Sequence, residues 1–345
     1  MDLTLKLINW FADNQRDLPW RKDNNPYFIW LSEVLLQQTQ VVQGLPYFNK
    51  FVNKFPKVED LANASEEEVL RLWQGLGYYS RARNLHFAAK TIAYDYEGVF
   101  PNTFQKIKQL KGIGDYTAAA IASIAFNESV PTIDGNVLRV ISRLIDLELP
   151  VDTAEGLKAV RSTMEMLIDT QQPGTFNQAV MELGALICKP KNPDCVNCPI
   201  HVNCLSFECK NQHSRPVKSK KTQIKNWYID YLFLSNKKGV VLQQRDEQSI
   251  WKKMFEFPNV FSEEPPQNLK ALEHLMTSLG CEQGSKMKLF KEEKHQLTHR
   301  KLHLRFFVCP IPDDFSANSL VLYKQLDEKP MPKPIVSFLN QYLLK

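Results

Sequence analysis

The chain reads as a mainly α-helical N-terminal region closed by a four-cysteine loop, followed by a smaller α+β domain. Three observations predict this. From Leu3 to about Cys209, apolar residues recur at spacings of three and four, with short glycine turns such as Gly75-Leu76-Gly77 and Gly112-Ile113-Gly114 between the segments. Four cysteines crowd into residues 188–204. Beyond residue 225 the pattern becomes that of strands, at 227–234, 239–244 and 301–309, with helix-like stretches at 268–279 and 335–344.

With 345 residues, 43% hydrophobic and 23% charged, the chain is long and apolar enough to bury about two ordinary cores. No run of eighteen apolar residues occurs, and the opening MDLTLKLINW lacks both a basic start and a cleavage site, so neither a membrane span nor a secretion signal is expected. The expected compartment is the cytoplasm. Residues 1–215 hold 22 Lys+Arg against 24 Asp+Glu and residues 216–345 hold 21 against 14, so the net charge of +5 resides in the C-terminal third. That balance neither requires nor excludes a nucleic-acid partner. The stretch 210–225, KNQHSRPVKSKKTQIK, has six basic residues and no acid and reads as a linker between domains at 1–209 and 226–345. Nothing calls for self-association, and a monomer is expected.

Taken in order, Pro26 suits the first turn of a helix running through Glu33 towards Gln40. Glu33 sits in SEVLLQQTQ with Trp30 and Ile29 three and four residues earlier on the same face. A carboxyl in such surroundings keeps its proton, as a general acid must near neutral pH, although a surface glutamate on an amphipathic helix has the same pattern. Ser65 and Glu68 form a capping box. In GLGYYSRARN, Tyr78 and Tyr79 lie between glycine turns and two arginines, an arrangement suited to a side chain wedging into a base stack; core packing of Tyr79 is the alternative.

LKGIGDYTAAAIASIAF, residues 110–126, has the form of a helix-hairpin-helix. Gly112 and Gly114 let backbone amides at a helix start approach a phosphate without a Cβ in the way. Asp134, in TIDGNV, precedes an apolar-periodic helix; local sequence favours a plain N-cap, and a carboxylate aimed at a reacting sugar is the functional alternative. Cys188, Cys195, Cys198 and Cys204 form C-x6-C-x2-C-x5-C, the ligand count of a 4Fe-4S cluster or of a four-cysteine zinc site.

LPWR (18–21), SEVLLQQTQV, GLGYYSRARN, LKGIGDYTAAA, IDGNVLRV and the cysteine loop together resemble, in order and spacing, the MutY adenine DNA glycosylases of the helix-hairpin-helix, endonuclease III-like superfamily. The resemblance implies a 4Fe-4S cluster rather than zinc, and double-stranded DNA with adenine opposite 8-oxoguanine or guanine as partner, hence a nucleoid-associated enzyme of base excision repair. It also implies roles. Glu33 protonates the flipped adenine, Asp134 faces the sugar, and Tyr116 and Asn136 support them. Leu18, Trp20, Arg21 and Leu36 wall the base pocket, while Gln38 and Tyr78 enter the helix beside the estranged base.

Bifunctional relatives carry a lysine where this chain has Tyr116, so a monofunctional glycosylase is implied. The second domain resembles the MutT/Nudix-like recognition domain of the same proteins, through WKKMFEFP (251–258) and through HQLTHRKLHLRF, in which Leu297-Thr298-His299 stands where the family has Phe-Ser-His. The stretch after Phe257 carries no REXXEE pattern, so this domain is expected to bind and not to hydrolyse. The competing readings are a bifunctional lyase, a catalytically dead DNA-binding module and a zinc-bound structural protein.

Overall fold

The computed structural model describes residues 3–219, 224–246, 250–281, 286–297, 299–315 and 319–344. Its helices are α1 (Leu3–Asn14), α2 (Pro26–Leu36), α3 (Val41–Lys54), α4 (Val58–Asn63), α5 (Glu66–Leu72), α6 (Ser80–Lys90), α7 (Phe104–Lys108), α8 (Asp115–Phe126), α9 (Gly135–Leu144), α10 (Ala154–Leu167), α11 (Pro173–Leu186) and α12 (Leu205–Glu208). The strands β1 (Lys225–Ser235), β2 (Gly239–Val241), β3 (Gln243–Gln244), β4 (Phe255–Glu256) and β5 (Asn259–Ser262) follow. Then come α13 (Lys270–Ser278), β6 (Lys288–Gln296), β7 (Arg300–Pro310), β8 (Leu320–Leu322) and α14 (Lys333–Leu343). None of these helices is long and apolar enough to cross a membrane.

Two compact units result: residues 1–63 with 84–221, and residues 64–83 with 222–345. The helical character of the first unit and the α+β character of the second agree with the sequence pattern. The boundaries differ from those expected, since 64–83, with α5 and the GLGYYS turn, groups with the second unit.

The basic stretch from residue 210 is not a free linker. Its first half is bound along the first unit: Val151 N donates to Val217 O at 3.0 Å, Asn211 Nδ2 to Asp146 Oδ2 at 3.0 Å, and Ser219 N to Asp152 Oδ1 at 2.8 Å. Arg215 Nε lies 3.0 Å from Asp146 Oδ1, with the arginine side chain only 9% exposed. Composition marked this stretch as a linker; acids at 146, 148 and 152 supply its partners.

In the first unit, one core gathers Leu7 and Phe11 of α1, Val137 and Ile141 of α9, Val160 and Met164 of α10, and Phe176, Val180 and Leu183 of α11. Helix α11 comes close to its neighbours because it has glycines at the crossings. A Cβ on Gly174 would lie 2.6 Å from Ser123 O of α8, and one on Gly184 would lie 2.6 Å from Asn136 Cβ of α9. Backbone and Cβ contacts this tight leave room only for hydrogen. Asn177, fully buried, ties the same region together: its Nδ2 donates to Ser123 Oγ and Val130 O, each at 2.9 Å, and its Oδ1 accepts from Thr132 N at 3.1 Å.

In the second unit, the described strands form a sheet of order β6-β7-β1-β2-β8, with β5 also pairing β1. β1 and β7 run parallel in register from Lys225↔Arg300 to Ser235↔Pro310; the other pairs are antiparallel. Alternation along β1 sends Ile229, Tyr231 and Phe233 to a core with Phe338 of α14, and Leu232 and Leu234 to a second core with Leu272 and Met276 of α13. A sheet covered by a helix on each face is the result.

Candidate active site

Helix α2 starts at Asn25, whose side chain accepts from Tyr27 N, with Pro26 in the first turn as the sequence predicts. It is apolar nearly all round, with Ile29, Trp30, Leu31, Val34 and Leu35 buried, and Glu33 is its one charged residue. The Glu33 carboxyl faces a cavity of about 310 Å³, mouth included, lined also by Trp20, Arg21, Ile29, Ser32, Ile124, Gln178 and Met181. Tyr116, in the first turn of α8, donates its hydroxyl hydrogen to Glu33 Oε2 at 2.5 Å.

Burial lifts the Glu33 pKa to about 7, against the lowering effects of the Tyr116 bond and of Arg21, and the charge of Asp134 adds to the rise. The surface-glutamate alternative is thereby set aside. Burial and the two facing carboxylates hold the Tyr116 phenol well above its ordinary pKa, so it stays a donor.

Asp134 caps α9. Its Oδ1 accepts from Val137 N and its Oδ2 from Asn136 Nδ2, each at 2.7 Å. N-cap and site residue are therefore not alternatives here, since the cap is what aims the carboxylate. Burial raises its pKa, opposed in part by the bonds from Val137 and Asn136 and by the charge of the nearby Arg139. Asn136 in turn accepts from Arg139 Nη2 at 2.9 Å, and Arg139 donates to Cys188 O and Gly184 O, each at 2.7 Å. An unbroken hydrogen-bonded path thus joins Asp134 to the cysteine loop.

Of the residues expected to wall the pocket, Trp20 and Arg21 do so, whereas Leu18 and Leu36 are not among its lining residues. Leu18 is buried core beside the 3₁₀ turn Pro19–Arg21, and Leu36 faces α3, where a Cβ on Gly44 would meet Leu36 Cδ2 at 2.7 Å. Three residues that the sequence reading passed over complete the site. Gln178 and Met181 line the cavity, and Glu182 organises its cations.

The Glu182 side chain, 1% exposed, takes Arg16 at Oε1 and Oε2, 2.8 and 2.7 Å, and Arg21 at the same oxygens, 3.1 and 2.9 Å. Burial alone would raise its pKa; the bonds from Arg16 and then Arg21 overcome it and bring it to about 2. The signal was present in the sequence. Glu182 is the lone charge on α11, PGTFNQAVMELGAL, as Glu33 is on α2.

The four cysteines are brought together. Cys188, Cys195, Cys198 and Cys204 line one cavity of about 400 Å³, mouth included, closed by Val140, Leu144, Leu183, Ile200 and Phe207. Burial pushes the Cys198 thiol up to about 12, and the charges of Cys188, Cys204 and Cys195 each add to the rise, so the four groups face one another. Arg143 donates to Cys188 Sγ at 3.3 Å and to Lys189 O at 2.8 Å. Among the described residues, no set of three or more His, Cys, Asp or Glu groups is disposed to hold a single metal ion.

The hairpin forms as predicted, with Gly112 at φ +80° and Gly114 as N-cap of α8 with open space around it. Gln38, just past α2, has φ +58° and is exposed. In the second unit, Tyr78 has φ +49° and is 44% exposed, whereas Tyr79 is core at 4%. His299 is exposed in the turn between β6 and β7, next to Leu297; Thr298 lies outside the described residues.

Residues 31–158 match the family model "HhH-GPD superfamily base excision DNA repair protein", and residues 231–341 match "NUDIX domain". The chain is 34% identical over 302 residues to the adenine DNA glycosylase of Buchnera aphidicola subsp. Schizaphis graminum, covering 86% of this chain and 84% of that one. It belongs to the adenine DNA glycosylase family. It is accordingly a glycosylase of base excision repair, a hydrolase acting on N-glycosidic bonds.

The relative from Buchnera aphidicola subsp. Baizongia pistaciae is 32% identical over 345 residues, 97% of this chain and 95% of that one. The mouse adenine DNA glycosylase is 42% identical over 211 residues, 59% of this chain and 41% of that one. Among solved structures, a thermostable thymine-DNA glycosylase superposes with TM-score 0.55 at 28% identity, covering 60% of this chain and 95% of that one. A non-covalent endonuclease III–DNA complex, at TM-score 0.52 and 22% identity over 60% of this chain and 94% of that one, shares the helical fold.

Proposed function

We propose that the chain is a monofunctional enzyme that flips adenine out of duplex DNA where it stands opposite 8-oxoguanine or guanine and hydrolyses its N-glycosidic bond. The observation that carries this is the pair Glu33 and Asp134: one carboxyl lifted by burial to a pKa of about 7 in the cavity lined by Trp20, Arg21 and Met181, the other aimed by its N-cap bond to Val137 and by Asn136. A carboxyl that keeps its proton near neutral pH, with a second carboxyl held at both oxygens by hydrogen-bond donors, suits an acid and a charge stabiliser.

In this reading Glu33 gives its proton to a purine ring nitrogen, the bond to the sugar breaks, and the electron pair leaves with the neutral base. Asp134 meets the oxocarbenium-like sugar, by charge or by a transient bond to the anomeric carbon, and water completes the hydrolysis. Tyr116 holds Glu33 in place, and no amine stands there to form a Schiff base. Trp20 and Arg21 wall the base, with Arg21 aligned by Glu182. Gly112, Gly114 and the amides opening α8 suit a DNA phosphate. Gln38 and Tyr78, both left-handed in backbone, are the side chains that enter the helix.

The four thiols fit a 4Fe-4S cluster in number, kind and mutual facing, with Arg143 beside Cys188 to offset negative charge. Cys188, Cys195, Cys198 and Cys204 would hold it, and its iron–thiolate bonds would supply a structural cross-link. Residues 226–345 form the domain that reads the oxidised guanine, through Leu297, Thr298 and His299. The protein acts as a monomer at the nucleoid.

The test is single-turnover cleavage of labelled duplexes bearing adenine opposite 8-oxoguanine, guanine or thymine, each with and without alkali. Cleavage only after alkali, and only for the first two, is expected. Cleavage without alkali supports a lyase, and none at all a binding module.

A further inference from the structure

Tyr78 stands exposed in the turn between α5 and α6 with a left-handed backbone, φ +49°. A tyrosine in that conformation carries strain that a glycine would not, so its surroundings must hold it there. They do so from both ends. Gly77 O, in the peptide before Tyr78, accepts from Trp73 Nε1 at 3.0 Å and from Arg81 Nη2 at 3.2 Å. Tyr78 O, in the peptide after it, accepts from Arg81 N at 2.9 Å. Two of these three bonds come from Arg81.

Arg81 reaches the ring as well. Its guanidinium carbon lies over Trp73, 5.0 Å from the ring centre, and over Tyr78, 5.7 Å from the ring centre. Trp73 is wholly buried and Tyr78 is exposed, so one cation ties an exposed ring to a fixed one. Burial lowers the Arg81 pKa to about 10, with Tyr78 opposing the shift, and at neutral pH the side chain remains a cation. A guanidinium withdrawn from water is attracted to a ring face more strongly than an exposed one.

We propose that Arg81 is a positioning residue for base flipping: through Gly77, Trp73 and Tyr78 it holds the Tyr78 ring in the orientation from which it enters the base stack as adenine leaves. The inference rests on the reading of Tyr78 as an inserted side chain. A phenol free to rotate would have to be ordered at the moment of insertion, and the contacts of Arg81 meet that cost before DNA arrives.

The test uses full-length chains carrying Glu33→Gln, so that flipping is read without excision, and duplexes with 2-aminopurine in place of the adenine opposite guanine. The fluorescence of 2-aminopurine rises when the base leaves the stack. Arg81→Lys keeps a charge but not the flat guanidinium, and Arg81→Met keeps the stem without the charge. Each is expected to lower the ratio of flipped to stacked base by about 3- to 30-fold, the factor of one cation–π contact. Tyr78→Phe keeps the ring and should keep this dependence on Arg81. In Tyr78→Ala chains the same Arg81 substitutions should change the ratio by less than about twofold, since no ring is there to be held. An undiminished ratio in both Arg81 variants overturns the assignment, as does an equal loss with and without the ring, which would make Arg81 structural only. Where Arg81→Met does not fold, Arg81→Lys decides alone. A Tyr78→Ala chain that flips the base as well as the chain with Tyr78 overturns the reading of Tyr78 itself, a result distinct from failure of the Arg81 variants.

Discussion

Tyr116 Oη donates to Glu33 Oε2 at 2.5 Å, joining the first turn of α8 to the middle of α2. Two helices distant in sequence are thereby locked at the point where the reaction needs a proton. Burial raises the Glu33 pKa and this bond lowers it, so the value near 7 is a balance between the two.

The first prediction concerns stability. Glu33 has a folded pKa of about 7 against 4.5 for the ordinary side chain, so the protonated form favours folding. That contribution is fully present below pH 4.5 and is lost as pH rises through 7. Glu33→Gln, isosteric and uncharged, should therefore unfold at higher urea than wild type at pH 8, by up to about 3 kcal/mol, and match it near pH 4. It should also lose at least about 100-fold in single-turnover excision, the scale of general acid catalysis. Near wild-type excision would remove Glu33 as the acid.

Glu182 gives the opposite sign. Its folded pKa of about 2 lies below the ordinary 4.5, so its stabilisation is present above pH 4.5 and disappears as pH falls through 2. Glu182→Gln should be less stable than wild type by roughly 3 kcal/mol at pH 7, with the gap narrowing at pH 3, measured by urea midpoints. A gap independent of pH would show that the two arginines do not depend on its charge.

Gly184→Ala tests the seat of Asp134. The added methyl would lie 2.6 Å from Asn136 Cβ and 3.1 Å from its Cα, and Asn136 holds Asp134 Oδ2. Overpacking of this kind costs about 1–3 kcal/mol, and displacement of the carboxylate should lower the chemical step by about 10- to 100-fold. Duplex affinity, read by gel shift, should change much less. Equal losses in both would indicate general disruption.

The cysteine loop predicts its own removal. Purified protein should be yellow-brown with about four irons per chain, and Cys198→Ala should lose the colour together with protection of the loop from proteolysis. A colourless protein containing zinc would contradict the cluster.

Local features of the site were legible in the sequence. Glu33 was visible as a lone acid in an apolar helix, Asp134 as an acid before one, and the cysteines by spacing. Features created by packing were not. Glu182 carries the same lone-acid signal as Glu33, yet its importance comes from Arg16 and Arg21, 166 and 161 residues away in sequence. Gly184 matters only because α9 crosses α11 at that point. Leu36 was assigned to the pocket by the family resemblance, but its helical phase turns it to Gly44. The basic stretch 210–219 read as a linker because its partners, Asp146 and Asp152, lie some 65 residues upstream.

The most direct test of Glu33 as the acid is the pH dependence of single-turnover excision of adenine opposite 8-oxoguanine, for wild type and Tyr116→Phe. The account predicts a wild-type rate that falls as pH rises through about 7 and, because the lost hydrogen bond had lowered the Glu33 pKa, a descending limb shifted to higher pH in the variant. A rate that stays flat to pH 9 in the wild type, or a limb that Tyr116→Phe leaves in place, would contradict it.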